Sequence, residues 1–353
     1  MTRYRMPAEW QQQAATWVAW PHNDQTWPHN LAEAQREFTE LVRTIAQSQQ
    51  VLVLCGGGAL QQAKSAFPVS DSNVVLVEIP TNDAWARDYA PSFVLDQSSC
   101  ELVAIDWHYN AWGGKYPPFD QDQQVAKRIA QHLQIKCVSP DVCFEGGAIE
   151  TNGSGLLLST RSCALDPNRN PDHSLEQIEE TLIENLGSAS VVWLSGDAID
   201  GDDTDGHIDQ LARFTDDTTI VYAWADDAND PQAAGLQQNL DDLKSGLAAA
   251  GQSDIRLIPL PLPGPVYFRE ARLPASYCNF VITNQQVIVP QFGAASDPQA
   301  IEILAPLFSD REVIGLPSFH LSVGLGSFHC LTQQQPSSHH TPCDDCCPES
   351  RGA

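Results

Sequence analysis

The sequence predicts a mixed α/β fold, and three observations carry that reading. Apolar runs of strand length recur along the 353 residues, amphipathic helical patterns lie between them, and no Gly/Ser- or Pro-rich linker interrupts the alternation before residue 335. Strands and helices interleaved to the end of a chain point to a layered α/β architecture.

The strand candidates are "VLVL" at 51–54, "VVLVEI" at 74–79, "LLLST" at 156–160, "VVWL" at 191–194, "TIVYAW" at 219–224, "FVIT" at 280–283 and "QVIVP" at 286–290. Their Val and Ile content, with Gly, Pro, Asn or Asp nearby, favours strands over helix fragments. In 33–49, Phe38, Leu41, Val42 and Ile45 follow the i, i+3, i+4, i+7 spacing of a helix with one buried face. Segments 122–134, 174–186, 233–249 and 298–308 carry similar patterns. Residues 1–335 therefore read as a single α/β domain. Residues 336–353, "PSSHHTPCDDCCPESRGA", lack apolar periodicity and read as a disordered tail, whose His and Cys spacing matches no zinc pattern.

Composition narrows the function. The 42% hydrophobic content suffices for a sizeable core, and the net charge of −26 (19 basic, 45 acidic) disfavours nucleic acid or an anionic membrane as partner. It suits a small cationic ligand, although charge alone also serves solubility. The N-terminus has no apolar core of a signal peptide, and no run of eighteen apolar residues follows, so a cytoplasmic location is expected. Ten cysteines in such a chain read as free thiols.

Four stretches hold residues suited to chemistry. "DGDDTDGHIDQ" at 200–210 resembles a metal loop, but an EF-hand alignment on Asp203, Asp205 and Gly206 puts Gly201 and Ala212 at the two end ligand positions, so that reading fails. What remains is His207 beside Asp209. On a strand over 207–214 the two would share a face and suit acid–base work on a cation; a structural histidine is the plainer alternative. Cys330 stands in "GLGSFHCLTQQQP", flanked by glycine, histidine and polar residues, and is either a nucleophile or an inert buried thiol. In "NDAWARDYAPSFV" at 82–94, an exposed Trp85 beside Asp88 could hold a planar cation, or Arg87 and Asp88 could pair beneath a packed tryptophan. Glu145 precedes Gly146 and Gly147, which permit close backbone approach, so it could orient a histidine or simply end a turn.

Together with "MPAEW" (6–10), "TWVAWPHN" (16–23), "WGGKYPP" (112–118) and "LDPNRNP" (165–171), these stretches resemble, in order, the agmatine deiminase family of the guanidine-modifying superfamily. The resemblance implies a pentein fold, a pseudo-five-fold α/β propeller of ββαβ units, although no internal repeat is visible in the sequence. It implies a hydrolase without metal or cofactor, acting on agmatine in polyamine and putrescine biosynthesis. By the same resemblance Cys330 is the nucleophile, His207 the acid–base group, Asp88 and Asp209 the guanidinium-binding carboxylates, and Glu145 the acid steadying the histidine. Trp85 lines the slot, and Asp203 contacts substrate where relatives often carry Glu. Further departures are Leu325 and Ser327 before the cysteine, in a stretch that is glycine-rich in relatives, and Ala90 in place of a usual glycine.

These residue types answer a chemical demand. A guanidinium is a delocalised cation with a pKa of about 13, so two carboxylates can fix its plane while a thiolate attacks its carbon. Acids such as Asp202, Asp203 and Asp205 would take the distal amine of agmatine. The expected partners are that small guanidino cation and a second copy of the chain in a homodimer, with no nucleic acid and no membrane. The competing readings are a peptidylarginine deiminase of the same fold and a non-catalytic guanidine-binding protein.

Overall fold

The computed structural model describes residues 2–338, except 69 and 197. Its strands group into five ββαβ units that follow one another around a ring. In each, an antiparallel pair of strands is followed by a helix that returns the chain to a third strand, parallel to the second.

The first unit runs through strands Ser92–Asp96 and Leu102–Ile105, helix Val125–Leu133 and strand Lys136–Val138. The second takes Glu150–Thr151, Leu156–Thr160, helix Leu175–Leu186 and Ser190–Leu194. The third takes Ala212–Asp216, Thr219–Trp224, helix Ala233–Ala249 and Arg256–Pro261. The fourth takes Val281–Ile282, Gln286–Gln291, helix Asp297–Leu304 and Glu312–Pro317. The fifth joins the two ends of the described chain: Thr332–Pro336 pairs antiparallel with Gln13–Ala19, and helix Leu31–Ile45 leads to Gln50–Leu54. Each parallel pair needs a crossover, and the amphipathic helices supply it.

Local chemistry sets most boundaries. Ser174 and Gln177 form a reciprocal capping box at the start of Leu175–Leu186, and Gly187 ends it at φ 78°. The expected helix 298–308 breaks at Leu304 into a short 3-10 turn, Ala305–Leu307. Pro306 lies in that turn; a proline has no N–H to give and crowds the carbonyl four residues back. Phe38, Leu41, Val42 and Ile45 are fully buried, as their spacing requires, but their helix stops at Ile45 because residues 46–49 turn into the next strand. Two apolar cores fill the molecule, the larger containing Trp17, Trp27 and Phe38, the smaller Tyr4, Trp107, Phe144 and Trp193.

The expected strand over 207–214 is corrected. Residues 208–210 form a 3-10 turn, and the strand begins only at Ala212. Gly206 at φ 88° and the Thr204 hydroxyl, which accepts the His207 N–H at 3.1 Å, hold the turn in place. All but the first three residues of the proposed tail lie outside the described residues.

Candidate active site

A three- or four-residue turn precedes the first strand of every unit, and each turn delivers polar side chains to the same central region. The helical turn Ala86–Tyr89 carries Asp88. Glu145 leads into the turn Gly146–Ala148, and His207 and Asp209 flank Ile208 in the third unit. The turn Tyr277–Asn279 supplies Asn279, and Cys330 lies just before Thr332. This is the repeat that sequence periodicity did not reveal: it is shared in backbone shape, not in residue identity. Trp85 and Asp88 lie between strand Val74–Val77 and strand Ser92–Asp96.

His207 is wholly buried, with Nδ1 3.7 Å from Asp88 Oδ1 and Nε2 3.7 Å from Glu145 Oε2. Neither ring nitrogen has a hydrogen-bond partner. Burial favours the neutral ring, but the charges of Asp88, Glu145 and Asp209 outweigh it and raise the pKa to about 9. His207 is therefore an imidazolium at neutral pH. Because a 3-10 turn separates them, His207 and Asp209 do not share a face. The histidine meets Asp88 and Glu145, while Asp209 meets His329 and Cys330.

Glycine makes that packing possible. A methyl group on Gly147 would overlap His207 Nδ1 and Asp88 Oδ1, and one on Gly146 would strike the Arg87 carbonyl. Asp88 Oδ1 accepts the Gly147 N–H and Oδ2 accepts the Trp112 indole N–H, both at 3.0 Å. Burial, then the neighbouring Asp209 and Glu145, push its pKa up to about 7 despite the opposing pull of His207. Arg87 does not pair with Asp88; its guanidinium donates to the His329 carbonyl and the Gln334 amide oxygen.

Glu145 is also buried, yet its pKa lies below the usual carboxylate range, because Arg169 and then His207 outweigh the cost of burial. Arg169 Nε sits 2.8 and 3.1 Å from its two oxygens, and Nη1 reaches Asp205 at 2.6 Å. On the other side, Asp209 Oδ2 lies 2.8 Å from His329 Nδ1, and His329 Nε2 lies 3.1 Å from Glu9. Burial opposes ionisation of Asp209, but His329 and His207 lower its pKa overall. Its Oδ1 is buried without a partner. Glu9, Glu150 and His329 stand close enough to hold a cation, but Arg213 already binds both carboxylates.

The Cys330 sulfur lies 3.7 Å from Asp209 Oδ2 and 3.2 Å from Asn279 Nδ2. Burial, then Asp209 and Asp88, hold its pKa well above the ordinary thiol value. In the free protein it is a thiol.

Cys330, Asp88, Trp85 and Asp203 line one cavity of about 760 Å³, together with Asp83, Trp112, Tyr116 and Asp122. Trp85 is buried rather than exposed, its ring tilted 35° against Trp27 at 5.4 Å between centroids. The aspartates before His207 divide. Asp203 lines the cavity and accepts the Tyr116 hydroxyl, Asp202 caps its own turn through Thr204 and Gly206, and Asp205 pairs with Arg169 and Lys115. Asn279, Arg169, His329 and Trp112 carry no role in the sequence reading. Aligning the units on the starts of their strands would have drawn out Asn279.

A ring of ββαβ units that gathers a thiol, an imidazolium and carboxylates at its centre defines the pentein class of guanidine-modifying proteins. The model of the Porphyromonas-type peptidyl-arginine deiminase family matches residues 5–336, and the chain belongs to that family. It is a hydrolase of C–N bonds in linear amidines. It is 36% identical over 360 residues to the agmatine deiminase of Stutzerimonas stutzeri, covering 95% of this chain and 96% of that one. Its structure is similar to the agmatine deiminase of Enterococcus faecalis (TM-score 0.89, 31% identity, 96% of this chain and 97% of that one). A cysteine-to-serine variant of the C. jejuni agmatine deiminase with substrate bound is also similar (TM-score 0.87, 30% identity, 95% and 96%). Among the described residues, no helix is long and apolar enough to cross a membrane.

Proposed function

We propose that this protein hydrolyses agmatine to N-carbamoylputrescine and ammonia. One observation carries the reading: the Cys330 thiol opens into a cavity with Asp88 inside it, and His207 and Asp209 stand directly behind. The guanidinium lies between Asp88 and Asp209, each accepting its N–H groups. Its charge offsets the two carboxylates that keep Cys330 protonated, so the thiol releases its proton to solvent as substrate arrives. The thiolate then attacks the guanidinium carbon and gives a tetrahedral adduct. His207 passes its proton to one nitrogen, which leaves as ammonia and leaves an amidino group on sulfur. Neutral His207 then takes a proton from water, whose oxygen attacks the same carbon. As the adduct collapses, its hydroxyl proton passes to the departing sulfur, which restores the thiol, and the ureido product remains.

The outer cavity supports agmatine over arginine. Asp83, Asp122 and Asp203 line it, while Lys115 is tied to Asp205 at 2.7 Å. A distal amine suits those carboxylates; the carboxylate of free arginine would be repelled by them. We assign the reaction to the cytoplasm and to putrescine synthesis, in keeping with the free thiols of the seven described cysteines.

The test is to incubate the purified protein separately with agmatine, arginine and an arginine-containing peptide, measuring ammonia and ureido product. Turnover of agmatine well above the others is expected, and C330S should bind agmatine without releasing ammonia. Faster turnover of the peptide would transfer the assignment to a peptidylarginine deiminase. Turnover by C330S would remove the covalent route.

A further inference from the structure

We propose that Asn279 is the donor that stabilises the Cys330 thiolate, making the fourth unit a working part of the reaction centre. The other four turns each deliver a group already placed in the chemistry: Asp88, Glu145, His207 with Asp209, and Cys330. Asn279 occupies the corresponding place in the fourth, three residues before Ile282 and fully buried.

Its amide is used at both ends. Oδ1 accepts the backbone N–H of His329 at 3.0 Å and of Cys330 at 3.4 Å, and Nδ2 donates to the Cys330 sulfur at 3.2 Å. The His329 N–H also reaches the Asn279 carbonyl at 3.2 Å, so the asparagine is bound to the cysteine loop through backbone and side chain together. The acceptor bonds fix which end of the amide is which: with Oδ1 committed to two N–H groups, only the NH₂ can face sulfur.

No other side chain around the sulfur replaces this bond. Asp209 of the third unit, at 3.7 Å, and Asp88 of the first oppose a negative sulfur. The Ser327 backbone N–H favours it. The His329 ring is turned away toward Asp209 and Glu9, and the His207 ring lies between Asp88 and Glu145. Asn279 thus offers a neutral, pre-aimed N–H to a sulfur flanked by two carboxylates, and a hydrogen bond to an ionised acceptor is stronger than one to a thiol.

The proposal rests on the reading of Cys330 as nucleophile, but its test does not need turnover. Iodoacetamide alkylation of Cys330 is followed between pH 6 and 10 by mass spectrometry of the peptide that contains it, without substrate. Two variants are compared with the native protein: N279D, which keeps the acceptor for the two backbone N–H groups, and N279A, which adds no charge. Both lose the NH₂ donor. Alkylation at pH 8 is expected to slow about tenfold or more in each, its pH profile moving to higher pH. The kcat for agmatine should fall while KM changes by less than about twofold. Thermal melting identifies which variants are folded; because the new carboxylate of N279D would itself oppose a thiolate, supporting slowing must appear in folded N279A, while native-rate alkylation in either folded variant counts against the proposal. A folded variant alkylated at the native rate and pH would overturn the proposal. Ammonia release by C330S would instead remove the reading of Cys330 and leave the thiolate result standing.

Discussion

Asp88 gives the sharpest quantitative expectation. Burial among carboxylates places its pKa at about 7, yet a guanidinium must meet it ionised. Below that pH the protonated form dominates, so binding the cation requires a proton to leave. At pH 6 about one molecule in ten carries the Asp88 carboxylate, so the apparent KM for agmatine should rise about tenfold from pH 8 to pH 6. The kcat should change less over that interval, because saturating substrate pulls Asp88 into its charged form. Calorimetry on C330S, in two buffers of different ionisation enthalpy, should count close to one proton released per agmatine at pH 6. The D88N, C330S double variant should release close to one proton fewer at that pH, Asp83 keeping whatever share it contributes. A KM that stays flat between pH 6 and 8, or binding without proton release, would refute the assignment of Asp88 to the guanidinium.

Further outcomes follow from the same geometry. Because His207 titrates at about 9 and acts first as the acid, while the Cys330 thiol is held higher still, kcat/KM should rise up to about that pH and then level off; a profile still rising steeply past it would exclude the role. Replacing Arg169 by Met strips Glu145 of its buried counter-charge and should cost about 3–5 kcal/mol of stability, measured by urea unfolding. Trp112→Phe removes one N–H from Asp88 Oδ2 and should weaken agmatine binding to C330S by about tenfold, measured by calorimetry. Gly147→Ala forces a methyl against His207 and Asp88, with an expected loss of about 1–3 kcal/mol and of most turnover.

The helices and the most apolar strands were legible through their period or their unbroken apolar runs, whereas strands such as Gln13–Ala19, Ser92–Asp96 and Thr332–Pro336 were not among the candidates. Phe38, Leu41, Val42 and Ile45 repeat at helical spacing, and "LLLST" or "QVIVP" reads as a strand at sight. The turns that build the site were not legible. A three-residue segment such as Ile208–Gln210 holds no full period, so His207 and Asp209 looked like same-face neighbours until the backbone separated them. Cys330, His207, Asp88 and Glu145 stood out through unusual flanks, Gly-His-x-Asp or Glu-Gly-Gly. Their supporting residues had no such flags. Arg169 reaches Glu145 from 24 positions away within its unit, and Asn279 reaches Cys330 from 51 across two units, and such contacts exist only once the chain has folded.

Closure of that ring has a consequence for biosynthesis. The strand Thr332–Pro336 pairs with Gln13–Ala19, so nearly the whole chain must be made before its fifth unit can exist. Cys330 belongs to the same late segment. At about 5–20 residues per second, a ribosome needs roughly 16–64 seconds to pass from Gln13 to Thr332, and over that time the chain gains the histidine and the acids before the sulfur. During that time Gln13–Ala19 waits with an unpaired edge, open to association with other chains. Completion seals the edge and delivers the Cys330 sulfur in one event, so a chain stopped short of residue 330 keeps that edge exposed.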